Sequence, residues 1–228
     1  MQFDLNYFLH LLFSTAFFEA VWMVIWITAV SMSIGIAIGI AGGIILNSPV
    51  PWIHPFIRGY VTLYRGVPVL VQIVFWYNGL AAVTGGAINL PAVVAGILAL
   101  GVNEGAYMTE IVRAGIQSVD RGQREASQAL SLGYWSMMRK VILPQAIRVA
   151  IPPTGNEVIN LIKNTTLLFT IAVPEIFGTA VNTYSQNFKY FEVLCVIAIW
   201  YIGLSSAYAF LQQILERKFS KGRRALYA

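Results

Sequence analysis

Between Glu19 and Arg58 the chain carries no Asp, Glu, Lys or Arg. Within that interval, Val21 to Leu46 is almost wholly apolar. A bilayer hydrocarbon core about 30 Å thick takes about 20 apolar residues as a helix. The run is therefore long enough to cross a membrane. The rest of the chain agrees: only 11% of its 228 residues are charged, against about a quarter in a soluble domain. A mean hydropathy of +0.68 completes the reading of an all-α integral membrane protein. A secreted disulfide scaffold, a soluble enzyme and a disordered tail are excluded.

Five spans fit the pattern. The first covers about 16–46 and ends at Asn47-Ser48-Pro49. A second uncharged stretch runs from Gly66 to Asn103, broken by Thr84-Gly85-Gly86 and Asn89-Leu90-Pro91. It predicts spans at about 67–83 and 91–112, with Pro91 in the first turn of the latter. The segment 113–146 is charged throughout and too long for a bare loop, so it must carry its own structure. Span four covers about 147–172 and span five about 193–215. The whole chain, 1–228, reads as a single transmembrane domain without internal repeats.

Lys and Arg set the orientation. Arg58 and Arg65 follow span one; Arg113, Arg121, Arg124, Arg139, Lys140 and Arg148 occupy the long loop; Arg217, Lys218, Lys221, Arg223 and Arg224 follow span five. With five spans these thirteen of the fifteen basic residues fall on one side, which is cytoplasmic. The N-terminus is then outside, the C-terminus inside, and Lys189 alone faces outward. The net charge of +5 thus marks topology and anionic lipid, not nucleic acid. Asp4, with no Lys or Arg ahead of the first apolar run, predicts a retained first span and no cleavable leader.

Little here supports catalysis. Cys195 lies alone in an apolar run, and His10 and His54 have no partners at metal-ligand spacing. No phosphate loop and no nucleophile–base set occurs. The informative residues are polar ones inside spans. Span three holds Asn103, Glu104, Tyr107 and Glu110; span four holds Asn156, Glu157, Asn160, Lys163 and Asn164, mostly at steps of three and four. Ion-pair glue between helices would absorb some of them, with Glu110 falling to Arg113 at the cytoplasmic end. Three carboxylates against one lysine favour a polar pathway instead, because unpaired ions at membrane depth need water or a partner. Asn103, Glu104, Tyr107, Glu157, Asn160 and Lys163 are the candidate substrate contacts. An ion-coupled secondary carrier is the alternative use of such carboxylates.

The long loop contains Gly122-Gln123-Arg124-Glu125-Ala126-Ser127-Gln128-Ala129-Leu130-Ser131-Leu132-Gly133, then Val141-Ile142-Leu143-Pro144. Residues 123–132 predict a short amphipathic helix with Ala126, Ala129 and Leu130 on one side. This loop resembles the signature of permease subunits of polar amino acid ABC importers of the histidine, glutamine and arginine type. That signature is Glu-Ala-Ala, three residues, Gly, nine residues, Ile-x-Leu-Pro. Glu125, Ala126, Leu143 and Pro144 match it; Ser127 and Ser131 replace Ala and Gly. Further resemblance lies in Tyr64 to Gln72, Ala106 to Ile116 and Asn156 to Leu167.

The resemblance implies a coupling helix between spans three and four that sits on a separate ATPase. Glu125, Ala126, Ala129, Leu130, Ser131 and Gly133 would form that contact. It also implies two permease subunits, as copies or siblings, in the bacterial inner membrane, a pair of ATPases holding ATP and Mg, and an extracytoplasmic amino-acid-binding protein. No cofactor would bind this chain directly, and it would be no enzyme. The sequence does not name the amino acid.

Overall fold

The computed structural model describes residues 3–220. Among them the chain forms helices and no strands. A short helix α1 (Leu5–Leu12) starts where the Asp4 carboxylate accepts the Tyr7 N–H at 3.0 Å, an N-cap that satisfies one orphan donor. Helix α2 (Thr15–Leu46) follows. Then come α3 (Pro51–Gly66), α4 (Val69–Val83) and α5 (Ala92–Gln117). The short α6 (Arg121–Ala129) leads to α7 (Tyr134–Ile171), α8 (Ile176–Asn187) and α9 (Tyr190–Ser220).

Three of these helices, α2, α5 and α9, are long and apolar enough to cross a membrane. The pairs α3 with α4 and α7 with α8 bring the number to as many as five if each pair is one broken span. In α7 and α8 the break is a 48° bend, made at Ala172 in the left-handed region (φ 61°) and at Pro174, which cannot donate to the helix.

Several expected boundaries move. The stretch before span two is helical, because Pro51 opens α3 and Gly66-Val67-Pro68 ends it. Pro91 caps α5 from outside, accepting the Ala95 N–H at 2.9 Å, and α5 runs on to Gln117. The segment 113–146 is mostly helix, so the helix of span four begins at Tyr134. The short amphipathic helix is 121–129, not 123–132: Asp120 caps it early at the Gly122 N–H (2.7 Å), and Ser131 stops it. Of the basic tail, Lys221, Arg223 and Arg224 lie outside the described residues.

The chain divides into two compact units. The first comprises the described residues up to Ser33, Val67–Gly101 and Val158–Tyr208. Its core gathers Phe17, Val24, Ile162, Ile176, Ala180, Val193 and Val196, with Leu11 of α1 against them. Glu175 is wholly buried and caps α8, accepting from Phe177 N–H (2.8 Å), Gly178 N–H (2.6 Å) and the Tyr201 hydroxyl (3.1 Å). The start of α1 is tied to the α8–α9 corner: Lys189 Nζ lies 2.6 Å from Asp4 and 4.3 Å from the centre of the Tyr7 ring. The Asp4 N–H donates to Glu192 at 3.1 Å.

The second unit comprises Ile34–Gly66, Val102–Glu157 and the described residues from Ala209 on. Gly35, Gly39 and Gly43 of α2 face Glu104, Met108 and Val112 of α5. A Cβ on Gly39 would stand 2.7 Å from the Met108 backbone carbon, so only glycine permits this approach. Close packing at a four-residue step replaces the hydrophobic drive that lipid removes. The Tyr60 hydroxyl donates to Val102 O at 2.6 Å. Further along, Ile116, Val119, Met137, Met138 and Ile142 form a second apolar cluster. In α7 the interior Pro152 and Pro153 remove two donors, and Gln212 of α9 donates to Pro152 O at 3.3 Å.

Candidate functional site

Four of the six candidate substrate residues, Asn103, Glu104, Tyr107 and Glu157, lie in the second unit. Asn103 and Glu104 are 6% and 3% exposed. Asn103 Nδ2 donates to Tyr64 O at 3.0 Å, one of the last carbonyls of α3, which have no donor within the helix. One turn on, the Arg65 guanidinium sits 5.4 Å from the centre of the Tyr107 ring, within cation–π range. The last turn of α3 is thus held to α5 by two residues that sequence reading assigned to substrate.

Glu104 is different. Gly35 backs it so closely that a Cβ there would be 2.8 Å from the Glu104 Cβ. Its Oε1 is buried and accepts no hydrogen bond among the described residues. Glu157 lies within electrostatic reach of it. Two carboxylates so placed repel, and a cation between them would relieve both. The Glu110–Arg113 pair expected from the spacing forms at 2.6 Å, so Glu110 is spent. Asn160 and Lys163 belong to the first unit; both are exposed on α7.

The loop residues assigned to coupling fall on and just after α6. Glu125 pairs with Arg121 at 3.0 Å, both well exposed. Ala126, Ala129 and Leu130 are exposed, Leu130 at 75%, while Ser127 is the buried residue of the helix. Ser131 takes φ 57°. Its N–H meets Gln128 O at 2.8 Å and the Leu132 N–H meets Ser127 O at 3.0 Å, a Schellman termination that favours glycine at this place. The departure from glycine therefore keeps the turn and adds strain. Gly133 is extended and precedes the first turn of α7.

Sequence reading missed Glu175, because Glu is an uncommon N-cap and the rule looks for Ser, Thr, Asp or Asn. It also missed the Gly35, Gly39, Gly43 spacing, for which the four-residue step was a legible signal.

Residues 33–221 match the family model described as binding-protein-dependent transport system inner membrane component. The chain belongs to this family. It is a translocation component of the inner membrane, and ATP hydrolysis belongs to a separate subunit. The probable amino-acid permease protein YxeN of Bacillus subtilis is 40% identical over 79% of this chain and 81% of its own. The glutamine transport system permease protein GlnP of Escherichia coli is 33% identical over 70% and 72%. A crystal structure of an amino acid ABC transporter with histidines superposes with a TM-score of 0.87 at 32% identity, over 96% of this chain and all of that one. The inward-facing MetNI methionine transporter shares the fold (TM-score 0.76, 19% identity, 90% of this chain and 97% of that one).

Proposed function

We propose that this permease moves a polar, cationic or zwitterionic amino acid, with Glu104 and Glu157 receiving its positive charge. The observation that carries the reading is the buried Glu104 Oε1, which accepts no hydrogen bond among the described residues. Burying a carboxylate oxygen without a partner costs several kcal/mol, of order 2–7 for a polar group. A ligand ammonium or guanidinium offsets that cost. Relatives named for arginine and glutamine transport and a structural neighbour with histidines support the class. Asn103 and Tyr107 of the same compact unit complete the proposed contacts. Family membership disfavours an ion-coupled carrier.

In this reading the N-terminus is outside. The Asp4–Lys189 bond supports this, because it joins the N-terminal segment to the one basic residue read as facing outward. The Tyr134 hydroxyl donates to Asn47 O at 3.1 Å, which joins the end of α2 to the segment read as cytoplasmic. There α6 docks an ATPase that holds ATP and Mg. Two permease subunits, copies or siblings, alternate access as the ATPase pair closes and opens, and an extracytoplasmic binding protein delivers substrate. Anionic lipid meets the basic side.

Two measurements test this. Cysteines placed at Gly86 and Ser136 should label from opposite sides of the membrane; labelling from one side rejects the topology. Uptake of labelled arginine, histidine and glutamine by the reconstituted assembly should fall at least about tenfold in Glu104→Gln and Glu157→Gln, the loss of one charge-assisted contact. Normal import by both variants at limiting substrate rejects the site.

A further inference from the structure

We infer that Arg124 is a positioning residue that locks α6 onto α5, so that force applied to α6 reaches the helix carrying Asn103, Glu104 and Tyr107. The inference rests on the reading of α6 as the ATPase-docking helix. Arg124 Nη2 donates to Ile116 O at 2.8 Å. Ile116 is in the last turn of α5, where carbonyls lack intrahelical donors and the helix dipole is negative. A guanidinium satisfies both demands at once.

The surroundings single this residue out. Gln123 and Glu125 on either side are exposed, whereas Arg124 turns inward. Three other polar side chains of α6 bond locally, Arg121 to Glu125 and Ser127 to Gln123 O. Among the described residues Arg124 makes the only side-chain hydrogen bond from α6 to another helix. Three residues, Ser118 to Asp120, join the two helices, so little chain is available to flex. Ile116 at the end of α5 and Val119 in the linker cluster with Met137, Met138 and Ile142 of α7, so the anchor point of the clamp is itself packed. The clamp, this cluster and the substrate residues of α5 all lie in one compact unit. Without the clamp, α6 keeps its own caps but can pivot about the linker, and a push from the ATPase is dissipated there.

The test uses the assembled permease–ATPase complex in liposomes, in a Cys195→Ser background. Spin labels at the exposed positions Ala114 and Gln128 report the α5–α6 distance by pulsed EPR. With Arg124 in place the distribution should be narrow and unmoved by nucleotide. Arg124→Ala should broaden it and make it respond to nucleotide, and Arg124→Lys, which retains one donor, should restore it in part. Import of labelled arginine, histidine or glutamine per ATP hydrolysed should fall about tenfold in Arg124→Ala, the scale of one lost charged hydrogen bond. A purely local cap would lower import and hydrolysis together, through less folded complex. An unchanged EPR width in Arg124→Ala, or a parallel loss of import and hydrolysis, overturns the inference. Glu125→Cys separately tests the docking reading. If it forms no cross-link to the ATPase while the EPR distance stays narrow, α6 docks elsewhere and Arg124 transmits nothing.

Discussion

Glu175 in the first compact unit and Glu104 in the second are both almost completely buried, and the two are supplied very differently. Glu175 in the first unit receives two backbone N–H groups and a tyrosine hydroxyl. Glu104 in the second has an oxygen that receives no hydrogen bond among the described residues. Depth of burial is therefore no guide to role. A carboxylate surrounded by donors is part of the scaffold; one left short of them is what the proposed substrate contact rests on. Maintaining the latter costs stability, which proteins accept where function requires it.

The largest expected effect breaks the first half of this contrast. Glu175→Ala orphans three donors, removes the cap of α8 and opens a cavity in a packed core. Several contributions of about 1 kcal/mol each bring the loss to about 3 kcal/mol. Thermal unfolding of the detergent-solubilised complex should show a clearly lower midpoint, with residual import tracking the amount of folded protein. A normal midpoint would make Glu175 a second vacant carboxylate and erase the contrast.

Glu104→Gln probes the other half and should act in the reverse sense. Replacing an undersupplied charge by an amide of the same shape leaves stability unchanged or raises it by about 1 kcal/mol, although import falls. A lowered midpoint would mean that Glu104 is braced by the protein and is ordinary helix glue.

How much of this the chain disclosed in advance follows from which interactions are local. The uncharged run of α2, the turn at Gly85-Gly86 and the Glu110–Arg113 pair depend on residues near one another in sequence, and all could be read. So could the presence of Glu104 and Glu157 within spans. Whether an oxygen of Glu104 finds a donor depends on what α2 brings beside it, and Gly35 is distant in sequence. Glu175 escaped notice partly because Glu is an uncommon cap for the local Phe177 and Gly178 N–H groups, and partly because Tyr201 reaches it from another helix. The helix before span two was passed over because Arg58 and Arg65 read as loop charges, although Tyr60 and Val61 between them pack inward.

Ser131 gives a smaller effect that tests strain in place of charge. A non-glycine residue in the left-handed region costs about 1 kcal/mol, and here the Schellman bonds hold it there. Ser131→Gly relieves that cost but adds backbone freedom to the unfolded chain, so the net gain should be below about 1 kcal/mol. Unfolding of the complex should occur at a slightly higher midpoint, with α6 retained. A loss of stability would show that the serine hydroxyl contributes more than the backbone strain removes.

The smallest effect concerns a third kind of carboxylate, half-exposed and held by one ion pair. Hydrogen bonding to Lys189, then to the Tyr7 N–H, holds the Asp4 carboxyl below its ordinary value, and Asp4 in turn raises the Lys189 ammonium above its own. A depressed acid stabilises the fold above the unfolded-state value of about 3.9 and loses that contribution as pH falls through the folded value. A raised base keeps its contribution below about 10.4 and loses it as pH rises further. Between about pH 5 and pH 9 the pair should therefore add a constant, small term, weakened by salt because both groups face water. Asp4→Asn should leave import and the unfolding midpoint of the complex nearly unchanged at neutral pH. It should also flatten any acid-side slope in stability that comes from this corner. A large loss at pH 7, on the scale expected for Glu175→Ala, would mean that the α1 corner is as deeply built into the scaffold as the α8 cap, and that exposure is a worse guide to role than the supply of donors.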